Sequence, residues 1–281
     1  MKVIVTGAAG FIGRHVVADL LDKGHSVIAV VRDSSRAAAL PWPEEVEVVS
    51  CDIHVENLGA SVDLNTIDSL IHLAWPGLPN YKSLFHLDET LPSEFRFLKS
   101  VVTTGCRNII VTGTCFEYGM QNGCLHEGME TRPANPYAIA KDALRRYLEA
   151  LRGFYSFNLK WARLFYMYGA GQNEKSLLSQ LDLALERGDR EFLMSGGEQL
   201  RDYLPVESVA SNLVSLLQYT SAEGVFNICS GQPVSVRRLV EEHLLKRGKT
   251  IELKLGHHPY PDYEPFAFWG SNEKFKGLGD E

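Results

Sequence analysis

The chain has 281 residues, 45% hydrophobic and 22% charged, the proportions of an ordinary globular protein long enough for one large domain or two intimate ones. Its formal net charge of −7 argues against a polyanionic partner such as nucleic acid, and no apolar run approaches the roughly 20 residues needed to span a bilayer. Cys51, Cys106, Cys115, Cys124 and Cys229 are odd in number and lack metal-ligand spacing, so free thiols, no metal site and a reducing compartment are expected. The N-terminus enters a strand pattern at once, without a secretory signal, which predicts a cytoplasmic protein.

In chain order, residues 3–5 read as a strand and residues 11–23 as an amphipathic helix closed by Gly24. Residues 26–31 form a second strand, 47–50 a weaker third, 67–73 a fourth and 108–112 a fifth. A long helical stretch, 81–102, separates the last two and is expected to break near Pro92. After Asn135 a helix runs to about 152, followed by a sixth strand at 159–165. Beyond it the alternation loosens: helices at 174–187 and 207–219, a short strand at 225–228, and a helix at 236–246 opened by Ser235. The tail from His257 is rich in Pro, Tyr and Phe. Strands alternating with helices predict an α/β fold with a parallel sheet and right-handed crossovers. Apolar runs such as IVTG and IIVTG fit strands covered on both faces.

The stretch TGAAGFIG, residues 6–13, joins the first strand to the first helix. Gly7 permits a tight turn, Gly10 lets backbone approach a pyrophosphate, and Gly13 lets the helix pack closely on the strand. Free N–H groups and the positive end of the helix dipole would receive the phosphates. The plainer reading is a tight turn with packing glycines. The second strand ends Val30-Val31-Arg32-Asp33-Ser34-Ser35-Arg36, with Val31 where a ribose-binding carboxylate usually stands. Arg32 and Arg36 suit a 2′-phosphate and so NADP(H) over NAD(H). The opposing reading leaves Arg32 in solvent and gives the ribose to Asp33. Asp52, at the end of the third strand, is a candidate acceptor for the adenine amine or a helix cap.

Residues 135–149, NPYAIAKDALRRYLE, place Tyr137 and Lys141 on one helix face. An ammonium beside a phenol favours phenolate and would bring its pKa down from about 10. That makes Tyr137 a candidate proton donor or acceptor, against the plainer reading of a surface pair. Thr114, at the carboxyl end of the fifth strand, shares the glycine loop's sheet edge and could hold a substrate oxygen; otherwise it is a turn residue.

These motifs together resemble the extended short-chain dehydrogenase/reductases, the NAD(P)-dependent nucleotide-sugar epimerases, dehydratases and reductases. The matching segments are TGAAGFIG (6–13), IHLAW (71–75), TGTCFEYG (112–119), the Tyr137/Lys141 pair, ARLFYMYGAGQ (162–172), RDYLPVESVA (201–210) and FNICSG (226–231). The resemblance implies a Rossmann-type doubly wound sheet (1–165 and 204–229) and a smaller α/β substrate-binding domain (166–203 and 230–281). It implies cofactor contacts from Gly7, Gly10, Phe11, Ile12, Gly13, Arg32, Arg36, Asp52, Ile53, Leu73, Ala74, Tyr137 and Lys141. Thr114, Tyr137 and Lys141 take the catalytic roles, with Tyr137 as acid/base. Trp75, Thr114, Tyr166, Arg201 and Tyr263 are the substrate candidates, Arg201 matching an arginine for the sugar-nucleotide pyrophosphate. The alternatives are a surface salt bridge for Arg201 and simple packing for the aromatic tail, Tyr263 included.

Two departures narrow the expectation. The 4,6-dehydratases carry an Asp-Glu pair where this chain has Cys115 and Phe116, and Glu117 falls one place late, which argues against dehydration. The galactose-type epimerases use an acidic residue where Val31 stands and Asn where Tyr166 stands. An NADPH-dependent reductase of a nucleoside-diphosphate 4-keto-6-deoxyhexose, of the kind used in bacterial O-antigen synthesis, is therefore expected. The rivals are an NAD-dependent epimerase and a non-catalytic NADP-sensing protein. A homodimer through the helices near 81–102 and 137–152 is expected from the family, unless Lys99, Arg145, Arg146 and Arg152 keep those faces in solvent.

Overall fold

The computed structural model describes residues 1–279. Seven strands, β1 (Lys2–Thr6), β2 (Ser26–Val31), β3 (Glu47–Ser50), β4 (Ser69–His72), β5 (Asn108–Thr114), β7 (Asn158–Leu164) and β11 (Gly224–Ile228), form one sheet, with β6 (Gly123–Leu125) lying outside it. The order is β3-β2-β1-β4-β5-β7-β11, and every neighbouring pair is parallel. The chain starts at the centre, works to one edge, and returns past β1 to build the other half. Order therefore reverses between β1 and β4, and the crevice beyond their carboxyl ends is where such sheets take ligands.

Both faces are covered, as the continuous apolar runs require. Val3 and Val5 face one side, with Val16, Val17 and Leu20 of α1 (Gly13–Asp22) and Leu213 of α6 (Val206–Ser215). Ile4 faces the other, with Leu98 and Val102 of α3 (Leu91–Thr104) and Leu144 and Leu148 of α4 (Pro136–Leu151). The short α2 (Ser34–Ala38) follows β2 and was not expected from sequence; the Asp33 side chain caps it. The long helical stretch begins later than expected. Residues 81–84 are turn and irregular backbone, and a π-helical segment at His86–Thr90 runs into α3. Pro92 sits in the first turn of α3, at the junction with the π-helical segment.

A second group of elements surrounds the core of Leu181, Phe192, Met194 and Val240. It holds α5 (Leu177–Arg187), α7 (Val236–Arg247), the pair β9 (Glu191–Leu193) and β13 (Glu252–Lys254), and the sheet of β8 (Tyr166–Tyr168), β10 (Leu200–Pro205) and β12 (Pro233–Ser235). The last residues pack away from this group. β14 (Phe268–Gly270) pairs with β6, and α8 (Glu273–Gly277) lies against β11. Phe275 and Leu278 join the core of the large sheet, and Lys274 Nζ donates to the Val225 carbonyl at 2.7 Å. Residues 268–279 thus pack on β6 and on the β11 edge of the large sheet. No helix among the described residues is long and apolar enough to cross a membrane.

Candidate active site

The glycine loop is built by close approach. Gly7 has φ +67°, and a Cβ there would lie 2.9 Å from the Ala74 amide nitrogen. A Cβ on Gly13 would stand 2.2 Å from the Gly7 carbonyl, so the helix meets the strand only without a side chain. Gly10 donates its N–H to the same carbonyl at 2.9 Å. Helix α1 begins after Ile12 with no side-chain cap, and the Arg14 and Val16 amides donate to the Gly10 and Ile12 carbonyls at 3.2 and 3.0 Å.

From this loop a cleft of about 1340 Å³ runs along the carboxyl edge of the sheet. All but two of the expected site residues line it: Gly7, Gly10, Phe11, Ile12 and Gly13 at the loop, Arg32, Arg36, Asp52 and Ile53 at one end, Leu73, Ala74 and Trp75 along β4, and Thr114, Tyr137, Tyr166 and Tyr263 at the other end. The exceptions are Lys141 and Arg201. Asp52 lines the cleft and caps a turn rather than a helix, its Oδ1 accepting the His54 amide at 3.1 Å. Asp33 is committed to α2, its Oδ1 accepting the Ser35 amide at 2.9 Å and hydroxyl at 2.7 Å. Those bonds, then Arg36 and Arg32, hold its carboxyl below the usual range.

At the far end, Asn135 caps α4 through the Ala138 amide at 2.9 Å, and Pro136 opens the helix, which sets the position of Tyr137. The Tyr137 ring lies among Trp75, Tyr81 and His86, with centroids 5.8, 5.6 and 5.4 Å away. Lys141 is 2% exposed. Its ammonium donates to the Thr112 carbonyl at 2.8 Å and lies 3.9 Å from the centre of the Trp75 ring. This departs from the sequence expectation. The ammonium makes no hydrogen bond to the phenol, and burial, with Tyr81, Glu117 and Cys115, pushes Tyr137 well above its ordinary pKa, the Thr114 hydroxyl acting against them. Tyr137 therefore stands here as a neutral phenol, the proton-donor form. Burial likewise pushes Lys141 down to about 8, opposed by the charges of Glu94 and Glu117.

Glu117 is part of the scaffold. Its Oε1 accepts the Thr114 amide at 2.8 Å, and its oxygens accept Trp161 Nε1 at 3.0 and 3.1 Å and Arg163 Nε at 2.7 Å. The Thr114 hydroxyl accepts the Phe116 amide in return, closing a capping box that fixes Thr114. Gly113 is required beside it, because a Cβ would lie 2.1 Å from Trp161 Nε1.

Arg201 departs furthest from expectation. It is 2% exposed and outside the cleft lining; it donates to Glu264 Oε1 at 2.7 Å and to the carbonyls of Leu200 and Phe266 at 2.7 and 2.9 Å. Its charge is neutralised by the tail it anchors. Tyr166 also bonds Glu264 through its hydroxyl, with its ring in the cleft. Tyr263 faces Tyr81 and Phe116, with centroids 6.1 and 6.2 Å away. Sequence reasoning missed Tyr81, Phe116, Tyr203 and His54 as lining residues. Tyr81 and His54 carry no motif, Tyr203 stands in RDYLPVESVA beside the arginine that drew attention, and Phe116 marks the place of a missing acid. Of the cations expected on the α3 and α4 faces, Arg145 turns inward to Asp142 at 2.7 Å and Glu149 at 2.6 Å. Among the described residues no cluster of His, Cys, Asp and Glu could hold a metal.

The reversed sheet order, the glycine loop at the reversal and the Tyr-Lys helix beyond β5 define an extended short-chain dehydrogenase/reductase. The chain belongs to the NAD dependent epimerase/dehydratase family, whose model matches residues 3–229. It is 33% identical over 276 residues to a dTDP-6-deoxy-L-talose 4-dehydrogenase (NAD(+)) of Aggregatibacter actinomycetemcomitans, covering 96% of this chain and 100% of that protein. It is 24% identical over 269 residues to a dTDP-4-dehydro-6-deoxyglucose reductase of Escherichia coli, covering 90% and 81%. Among solved structures, MoeE5 in complex with UDP-glucose and NAD superposes with a TM-score of 0.83 at 29% identity, covering 99% of this chain and 92% of that one.

Proposed function

We propose that the protein is an NADP(H)-dependent 4-ketoreductase of a nucleoside-diphosphate 4-keto-6-deoxyhexose, serving bacterial surface-polysaccharide synthesis. The observation that carries the reading is the shared cleft. Tyr137 and Thr114 line the same cavity as the glycine loop, while the two positions that hold dehydratase acids are Cys115 and Phe116 and the nearby Glu117 is locked into the core. The relatives named as a talose 4-dehydrogenase and a 4-keto sugar reductase support a reaction at C4. The glycine cradle fits a dinucleotide: three positions carry no side chain, and a Cβ at Gly7 or Gly13 would collide with backbone.

Bound there, a reduced nicotinamide supplies hydride to the C4 carbonyl carbon. Thr114, fixed by its capping box, hydrogen-bonds the C4 oxygen. Tyr137 gives that oxygen its hydroxyl proton as negative charge develops on it, leaving a hydroxyl on the sugar and a phenolate on the enzyme. Lys141, one helical turn on, supplies positive charge on the same helix as that phenolate, its ammonium held by Thr112 and Trp75. The elements of 166–203 and 230–267 carry the sugar nucleotide.

For the 2′-phosphate, Arg32 and Arg36 line the cleft end and make no ion pair among the described residues, while Asp33 is engaged in capping α2. The relative named for NAD(+) makes NAD the competing cofactor. The test is stopped assay of purified protein with dTDP-, GDP-, UDP- and CDP-linked 4-keto-6-deoxyhexoses and each reduced dinucleotide. Stoichiometric NADPH consumption is expected with one of them. Interconversion of sugars without net consumption would replace the reading with an epimerase, and an equal rate with NADH would reject the phosphate contact. Arg32→Asp is expected to weaken NADPH binding about tenfold and leave NADH unaffected or improved.

A further inference from the structure

Behind the cleft wall lies a buried polar chain that none of these steps uses. Glu94 of α3 is 0% exposed. Its two oxygens accept His72 Nε2 at 2.8 Å and His54 Nε2 at 2.9 Å. His72, at the end of β4, is also 0% exposed, and its Nδ1 lies 2.8 Å from Thr6 Oγ1. That hydroxyl oxygen accepts the amides of Leu73 at 3.2 Å and Ala74 at 3.4 Å. With its lone pairs taken by backbone, Thr6 has a proton to give, so His72 Nδ1 accepts and its proton sits on Nε2, facing Glu94.

The two ends of this chain reach the cleft at separate places. At one end are Thr6, Leu73 and Ala74, pressed against the glycine loop at Gly7. At the other is His54, beside Asp52, with its Nδ1 3.7 Å from Asp52 Oδ1. A single carboxylate thus sets the spacing between the pyrophosphate cradle and the wall near the adenine end. A fully buried carboxylate is costly to keep unless each oxygen is matched, and here both are.

We propose that Glu94 is a positioning residue for the dinucleotide: through His72 and Thr6 it holds the Leu73–Ala74 backbone against the glycine loop, and through His54 it holds the wall at residues 52–54. The inference rests on the cleft being a dinucleotide site.

The test titrates NAD(H) and NADP(H) against tryptophan fluorescence and measures kcat at saturating dinucleotide and Tm for each variant. Glu94→Gln replaces a double acceptor with a group having one accepting oxygen, so dinucleotide Kd is expected to rise about tenfold while saturated kcat stays within about threefold. Thr6→Val removes one neutral link and is expected to raise Kd about threefold. His54→Gln keeps an N–H donor toward Glu94 and is expected to bind as wild type, whereas His54→Ala weakens binding as Glu94→Gln does. Folded Glu94→Gln, Thr6→Val or His54→Ala protein with wild-type Kd overturns the proposal even if Tm falls, because a purely structural role moves Tm alone. His54→Gln binding no better than His54→Ala also overturns it. If Glu94→Gln does not fold, the Thr6 and His54 variants decide by the same criteria. Wild-type protein that binds neither dinucleotide overturns the reading of the cleft itself, an outcome distinct from a failure of the variants.

Discussion

The two ends of the cleft are built on different principles. At the dinucleotide end, contiguous backbone does the shaping: residues 6–13 turn, approach Ala74 and start α1, and their glycines matter for the side chains they lack. At the reacting end the walls are side chains from distant segments: Tyr81, Thr114, Tyr137, Tyr166 and Tyr263. Tyr166 bonds Glu264, which Arg201 of β10 in turn neutralises. Backbone sites are intolerant of added atoms, whereas side-chain sites are intolerant of lost partners.

The largest expected effect isolates chemistry from binding. Tyr137→Phe should lower kcat by about 10²- to 10⁴-fold and leave dinucleotide Kd near wild type. A variant retaining more than about a tenth of wild-type kcat would remove Tyr137 from its role as proton donor. Next, Glu264→Ala should leave the Arg201 guanidinium buried without a counter-charge, at a cost of about 3–5 kcal/mol in urea unfolding. An undiminished midpoint would show that the tail does not hold the reacting end together. At the other end, Gly7→Ala should cost about 1–3 kcal/mol from its left-handed conformation and raise dinucleotide Kd, since its Cβ meets Ala74. Unchanged affinity would end the distinction between a backbone-built and a side-chain-built end.

The smallest effect is a pH slope. Lys160, on β7, is 0% exposed, with Asn108 Oδ1 as its hydrogen-bond partner at 2.9 Å. Burial pushes its ammonium from an ordinary 10.5 down to about 8. Between those values the unfolded chain holds a proton that the folded chain has lost, so stability rises with pH across that window. Lys141 contributes in the same window and the same direction. Urea midpoints from pH 7.5 to 10 should therefore climb less steeply in Lys160→Met than in wild type, and parallel curves would refute the assignment.

The parallel order, the glycine loop and the α4 pair were legible because their signals are local. A continuous apolar run marks a strand covered on both faces, and Asn135-Pro136 marks where α4 begins. The placement of Arg201 was not legible, because an arginine in RDY looks the same whether it faces a phosphate or a carboxylate 63 residues away. The direction of Lys141 was hidden for the same reason: helical spacing puts it on the face of Tyr137, but the carbonyl of Thr112 and the ring of Trp75 decide where its ammonium points. Three-residue strands such as β6 and β14 are too short to show alternation and exist because each finds the other across the chain.

By itself, the order of residues determined the parallel strands, the helices between them and the glycine loop, since turn chemistry and apolar periodicity act between near neighbours. Only the tertiary structure decided which buried charges neutralise one another, which aromatic rings wall the reacting end, and where the tail returns. Those outcomes depend on pairing between segments far apart in the chain, where desolvation leaves each charge and each edge to whatever partner the fold brings to it.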